Sequence, residues 1–215
     1  FDPIYLSGND LASSSSECTD ILRECDFVFI THSHFDHFHI PTLVDILHRN
    51  KATVYIPHQK HHSVLSDCVM SDILTNSGAK FKVMDWYQSM VFPNWSVKAL
   101  PFCGEQPSTS QYPLGQDYRM YGNCYLIKRE GVNIVIIADS GEEDNYSIKE
   151  ELLKVYKEHG EIDYLFTCLL SFPEVFNPGL IHYCFAFSFS EVKYNFHKKE
   201  RKSITLGVEG LSDLC

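Results

Sequence analysis

The sequence predicts an α/β layered sandwich, a single domain of 215 residues in two related halves, about 1–94 and 95–215. Three observations carry that prediction. Short apolar runs of strand length recur, bounded by charged or polar residues. Segments with apolar residues at helical spacing lie among them. The order strand, strand, helix is met twice along the chain, which is the pattern of sheets covered by helices. The composition agrees: 44% hydrophobic and 21% charged residues are ordinary for a chain that buries a core.

Residues 26–30 are the first continuous apolar run, with charge before them and polar residues after. Residues 40–49 follow as a helix, with Ile40, Leu43, Val44 and Leu47 at helical spacing and Pro41 suited to the first turn. Residues 52–56 read as the next strand, stopped by Pro57; 62–76 as a second helix; and 80–84 as an alternating strand. In the second half, residues 95–100 lead into Pro101, and 122–128 with 132–138 predict a hairpin about Glu130 and Gly131. A helix over 147–159 and a strand over 163–167 follow, then a strand over 204–208 and a helix over 209–215.

Eighteen basic against twenty-eight acidic residues give a net charge of −10, which argues against nucleic acid or an anionic membrane as the main partner. No apolar run approaches the ~18 residues that span a bilayer. The eight cysteines are scattered without a CxxC pair, and no signal peptide is visible, so the thiols are expected to be reduced and the protein cytoplasmic. The chain opens on Phe1 without an initiator Met and closes on Cys215, and both ends are expected to be cut.

The informative stretch is 31–37, Thr-His-Ser-His-Phe-Asp-His, directly after the strand 26–30. Four potential metal ligands occupy six positions where a buried strand gives way to a helix. Residues two apart in an extended segment share a face, so His32 and His34 can converge on one ion. Where the chain turns into the helix, Asp36 and His37 point elsewhere and can serve a second ion. Neutral imidazoles with a carboxylate suit zinc, iron or manganese rather than calcium.

His32-x-His34-x-Asp36-His37 resembles the signature of the metallo-β-lactamase superfamily, and the order of elements agrees over nearly the whole chain. The resemblance implies an αββα sandwich with two metal ions at one edge of its paired sheets. It makes Asp2 the strand-end carboxylate that orients a ligating histidine. It makes Asp139, after the strand 132–138, a carboxylate bridging the two ions. The superfamily's usual third-motif histidine is absent: residues 101–107 hold Glu105 in its place. Ligation by Glu105 makes the site more anionic and shifts preference from zinc towards iron or manganese. A Gly-Glu pair there is similar to the di-iron branch, which includes β-hydroxylases acting on carrier-bound amino acids. The expected centre is therefore His32, His34, Asp36, His37, Glu105 and Asp139 around two divalent ions, iron favoured, with Asp36 and Glu105 carrying the chemistry.

The final histidine of the family pattern is missing from its expected place. His182 and His197 are weak substitutes, His58, His61 and His62 form a surface cluster, and His39 is expected to line the cavity. Cys103, two residues from Glu105, reads as a small buried hydrophobe. Three functions follow from the resemblance: a di-iron oxygenase, a metal hydrolase, or a non-enzymatic metal- or carrier-binding module. The partner is expected to be a small-molecule or carrier-bound substrate, with no nucleic acid and no membrane.

Overall fold

Three parallel strands make one sheet. In the computed structural model, which describes residues 1–3, 24–33, 36–58, 70–102, 122–143, 146–168 and 207–212, β1 (Phe27–Phe29) pairs with β2 (Thr53–Pro57), and β2 with β3 (Phe81–Met84). Parallel neighbours need crossover connections, and these carry α1 (Ile40–Arg49) and α2 (Met70–Asn76). Strand and helix therefore alternate in this half, as the elements read one by one from the sequence do. Helix α1 spans the predicted residues, but its buried face centres on Thr42, Leu43 and Ile46, while Ile40 and Val44 are exposed.

The second sheet has five strands. β4 (Ser89–Val91), β5 (Ser96–Pro101), β6 (Asn123–Arg129) and β7 (Val132–Ala138) run antiparallel in sequence order. A two-stranded ladder of β8 (Glu142–Glu143) and β9 (Tyr146–Ser147) leads to α3 (Ile148–His159), and β10 (Tyr164–Thr167) then joins parallel to β7. The β6–β7 hairpin turns at Glu130 (φ 51°) and Gly131 (φ 85°), two left-handed residues whose twist matches that of the flanking strands. Ser147 caps α3 by accepting the Glu150 N–H.

Alternation sorts the side chains into three apolar layers. Val28, Ile30, Val54 and Ile56 of the first sheet pack with Leu43, Ile46, Met70 and Leu74 of its helices. Cys124, Leu126, Val135 and Ile137 of the second sheet pack with Ile148, Leu152 and Val155 of α3. Between the sheets lie Phe29, Tyr55, Met84, Val97, Ala99 and Tyr125. The layer order is helix, sheet, sheet, helix, the αββα sandwich that the sequence resemblance implied. Aromatic rings lock the sheets together: Phe29 meets Tyr125 at 5.6 Å, and the buried Tyr125 hydroxyl donates to the Ile30 carbonyl at 2.7 Å.

Several sequence boundaries shift. Pro57 and Pro101 are the last residues of β2 and β5 rather than stops before them. β4 pairs only with Ser96, Val97 and Lys98 of β5, so the missing N–H of Pro101 falls past the end of that ladder. Only 70–76 of the predicted 62–76 helix lies within the described residues. The predicted strand 204–208 is overtaken at its end, because Gly207 begins α4 (Gly207–Ser212). β4, with just three residues, gave too short a pattern to read. Among the described residues no helix is long and apolar enough to cross a membrane.

Candidate metal centre

The ends of β1, β6 and β7 meet at one edge of the sandwich. His32, two residues past Ile30, forms an isolated antiparallel bridge with Gly122, and the Asn123 N–H donates to the Thr31 carbonyl at 2.8 Å. This joint between the sheets is braced from β3: Trp86 Nε1 donates to the Gly122 carbonyl at 2.9 Å, and Asn123 Nδ2 to the Met84 carbonyl at 3.0 Å. The Phe102 ring lies against His32 at 4.9 Å between centroids.

Asp139 reaches this edge from β7. Ala138 takes φ 44°, a left-handed conformation uncommon for a residue with a side chain, and the β10–β7 register shifts at the same level. Such departures concentrate beside functional sites, where they re-aim a side chain. Here His37 Nε2 lies 3.1 Å and His32 Nε2 3.8 Å from Asp139 Oδ2. His32, His37 and Asp139 each offer a ligand atom within 4.8 Å of the others, and theirs is the only such group among the described residues.

The other ring nitrogen of His37 is held by Asp2, at 3.0 Å between Nδ1 and Oδ2. Asp2 is itself fixed by its own N–H donating to the Phe29 carbonyl. A carboxylate only accepts, so Nδ1 carries a proton and Nε2 is turned towards Asp139. Asp36 stands at the margin, half exposed, with its carboxylate 3.7 Å from His37 Nε2. His39, expected at the cavity wall, serves as a helix cap. Its Nδ1 accepts from the Thr42 N–H at 3.3 Å and caps α1, which fixes the helix that follows the motif. His58 is an exposed residue paired with Asp85 at 2.6 Å. His34, Glu105, Cys103, His61, His62, His182 and His197 lie outside the described residues.

Without metal, His37 is a strong base. Burial alone would lower its pKa, but the hydrogen bonds its ring donates to Asp139 and Asp2, and their negative charges, outweigh it, raising the value from 6.5 to about 10. Because the folded pKa is the higher one, this stabilises the metal-free fold fully below the unfolded value and is lost as pH rises through about 10. Chelator-treated protein should therefore unfold at less urea at about pH 9.5 than at about pH 6, by an amount on the order of a few kcal/mol. A metal must displace this proton, so zinc affinity should rise over the same window. Equal urea midpoints would contradict this network.

Three contributors escaped sequence reading: Gly122, Phe102 and Trp86 carry no ligand chemistry, and their place follows only from the pairing of His32 with Gly122. Gly122 alone left a trace, as a glycine opening a predicted strand.

A family model described as the beta-lactamase superfamily domain matches residues 8–166. Among solved structures the chain is similar to CmlA, a diiron beta-hydroxylase from Streptomyces venezuelae, at 22% identity and a TM-score of 0.62. That match covers 81% of this chain and 31% of the hydroxylase, so the chain spans about a third of that protein. A mutant of the same hydroxylase matches at the same identity and TM-score, with 32% of its length covered. Yeast PDE1 is 19% identical with a TM-score of 0.47, over 89% of this chain and 59% of that one. No curated protein matches.

Proposed function

Since the chain belongs to the beta-lactamase superfamily, we propose that it is the metal-holding part of a binuclear metalloenzyme, and that it is an oxygenase using two irons on a small or carrier-bound substrate. The observation that carries the metal reading is the convergence of His32, His37 and Asp139 from two sheets onto one point. The donor chemistry fits: two imidazoles and a carboxylate suit iron, zinc or manganese, and a hydrogen bond from the far ring nitrogen to a carboxylate is the usual support of a ligating histidine. Asp139, within reach of both rings, suits a ligand shared by two ions. Iron held there would supply dioxygen chemistry. The chain's own part is to orient the rings, to exclude water with Phe102 beside His32, and to hold the excess negative charge that two cations would offset.

The oxygenase reading is supported by Glu105, which puts a carboxylate where most of the superfamily has an imidazole. His34, Asp36 and Glu105 would complete the ligand set. The second reading, a hydrolase, is favoured by the position of Asp139 beside both histidines, since metal held there would also supply Lewis-acid chemistry for hydrolysis of an ester, amide or phosphodiester.

The test is elemental analysis of the protein from iron-supplemented cells, beside the Glu105→His variant. About two irons per chain are expected, and the variant should shift the ratio towards zinc. Two zincs in the unaltered protein together with phosphodiesterase or esterase turnover would decide for the hydrolase.

A further inference from the structure

Thr31 lies between Asp2 and His32, fully buried, and its hydroxyl touches both. Its Oγ1 is 2.6 Å from Asp2 Oδ2 and 2.9 Å from His32 Nδ1, while its N–H donates to Asp2 Oδ1 at 2.7 Å. A hydroxyl has one proton and a carboxylate has none to give, so the Thr31 proton belongs to Asp2. What the hydroxyl then presents to His32 is a lone pair. His32 Nδ1 must carry the ring proton to meet it, which leaves the lone pair of the neutral ring on Nε2, the atom on the Asp139 side.

We propose that Thr31 is a positioning residue that sets the tautomer of His32. One carboxylate then governs both histidines of the centre: Asp2 orients His37 directly and His32 through the Thr31 hydroxyl. The purpose of this relay rests on the metal reading above; its content rests on hydrogen-bond direction alone. It also explains why Asp2 adopts the left-handed φ of 39°, a conformation aspartate tolerates better than most residues. In that pose its N–H meets the Phe29 carbonyl while its two oxygens serve three donors.

Thr31→Val keeps the side-chain shape and the backbone bond to Asp2 but removes the hydroxyl; Thr31→Ser keeps the hydroxyl. The readout is nitrogen NMR of the imidazoles in the metal-free full chain at alkaline pH, with resonances assigned through His32→Asn and His37→Asn. The unaltered chain should show His32 protonated on Nδ1. Thr31→Val should move the proton to Nε2 and leave His37 as it was, and Thr31→Ser should preserve the original pattern. Zinc affinity should fall about 10-fold or more in Thr31→Val and be restored in Thr31→Ser. A His32 protonated on Nε2 in the unaltered chain overturns the proposal even if Thr31→Val fails to fold, as does an unchanged tautomer in a folded Thr31→Val. Should the unaltered chain bind no zinc while the tautomer responds as described, the metal reading fails and the role of Thr31 stands.

Discussion

Asp139→Asn should lower metal affinity by at least about 100-fold and leave the sandwich folded. The lower bound follows from residues that merely support a ligand, whose loss already costs 10–100-fold. Asp139 is worse to lose, because its carboxylate faces both imidazoles at 3.1 and 3.8 Å and supplies the negative charge between them. Asparagine matches its volume and still hydrogen-bonds, so the loss would be of charge and not of packing. A second consequence needs no metal. The Asp139 hydrogen bond is the largest influence raising the His37 pKa to about 10, so in Asp139→Asn that value should drop. With the folded pKa nearer the unfolded one, the metal-free variant should lose less stability between neutral and alkaline pH than the unaltered chain. NMR titration of His37 and metal retention on dialysis would measure the two effects. Full metal content in Asp139→Asn would remove Asp139 from the centre.

Gly122→Ala is expected to be the most damaging change that touches no ligand. A Cβ on Gly122 would sit 2.5 Å from Phe102 Cγ, 2.7 Å from Cδ1 and 2.9 Å from Cβ. Rotating the ring does not relieve a clash that includes its own Cβ, so backbone must move. The backbone available is the bridge to His32 and the Trp86 contact. Overpacking of this kind costs about 1–3 kcal/mol, or roughly 3–10 °C in Tm for a chain of this size. Phe102 also packs against the His32 ring, so metal affinity should fall along with stability. Phe102→Leu in the Gly122→Ala background should restore part of both, and the double-mutant cycle gives the coupling. A Tm within 1 °C or so of the unaltered chain would mean the joint yields more easily than its contacts imply.

Much of this architecture is legible in the chain because one kind of signal, apolar periodicity, controls it. Helix α1 and the β6–β7 hairpin stand within a residue of where spacing and the Glu130-Gly131 turn put them. The errors fall where local pattern is overruled by neighbours. Pro101 stays in β5 because β4 ends before reaching it. The buried face of α1 moves to Leu43 and Ile46 because the sheet, not the helix, decides which side is covered. For the centre, the motif 31–37 singled out His32 and His37, and the resemblance, not spacing, pointed to Asp2 and Asp139. The bulged end of β7 at Ala138 and the hydroxyl of Thr31 lie beyond any periodicity, since both depend on residues distant in sequence.

The distance along the chain between the parts of the centre has a consequence in time. His37 and Asp139 are 102 residues apart, yet they share a hydrogen bond. A ribosome adding 5–20 residues per second exposes the histidine motif roughly 5–20 s before Asp139. During that interval the early histidines have no carboxylate from β7 and no Gly122 to pair against. The first sheet alone cannot close the coordination shell, so the nascent chain should hold metal only weakly. If the centre holds metal as proposed, loading would wait until the second sheet has docked, and metal uptake followed during synthesis should lag behind the appearance of the motif by about that same interval.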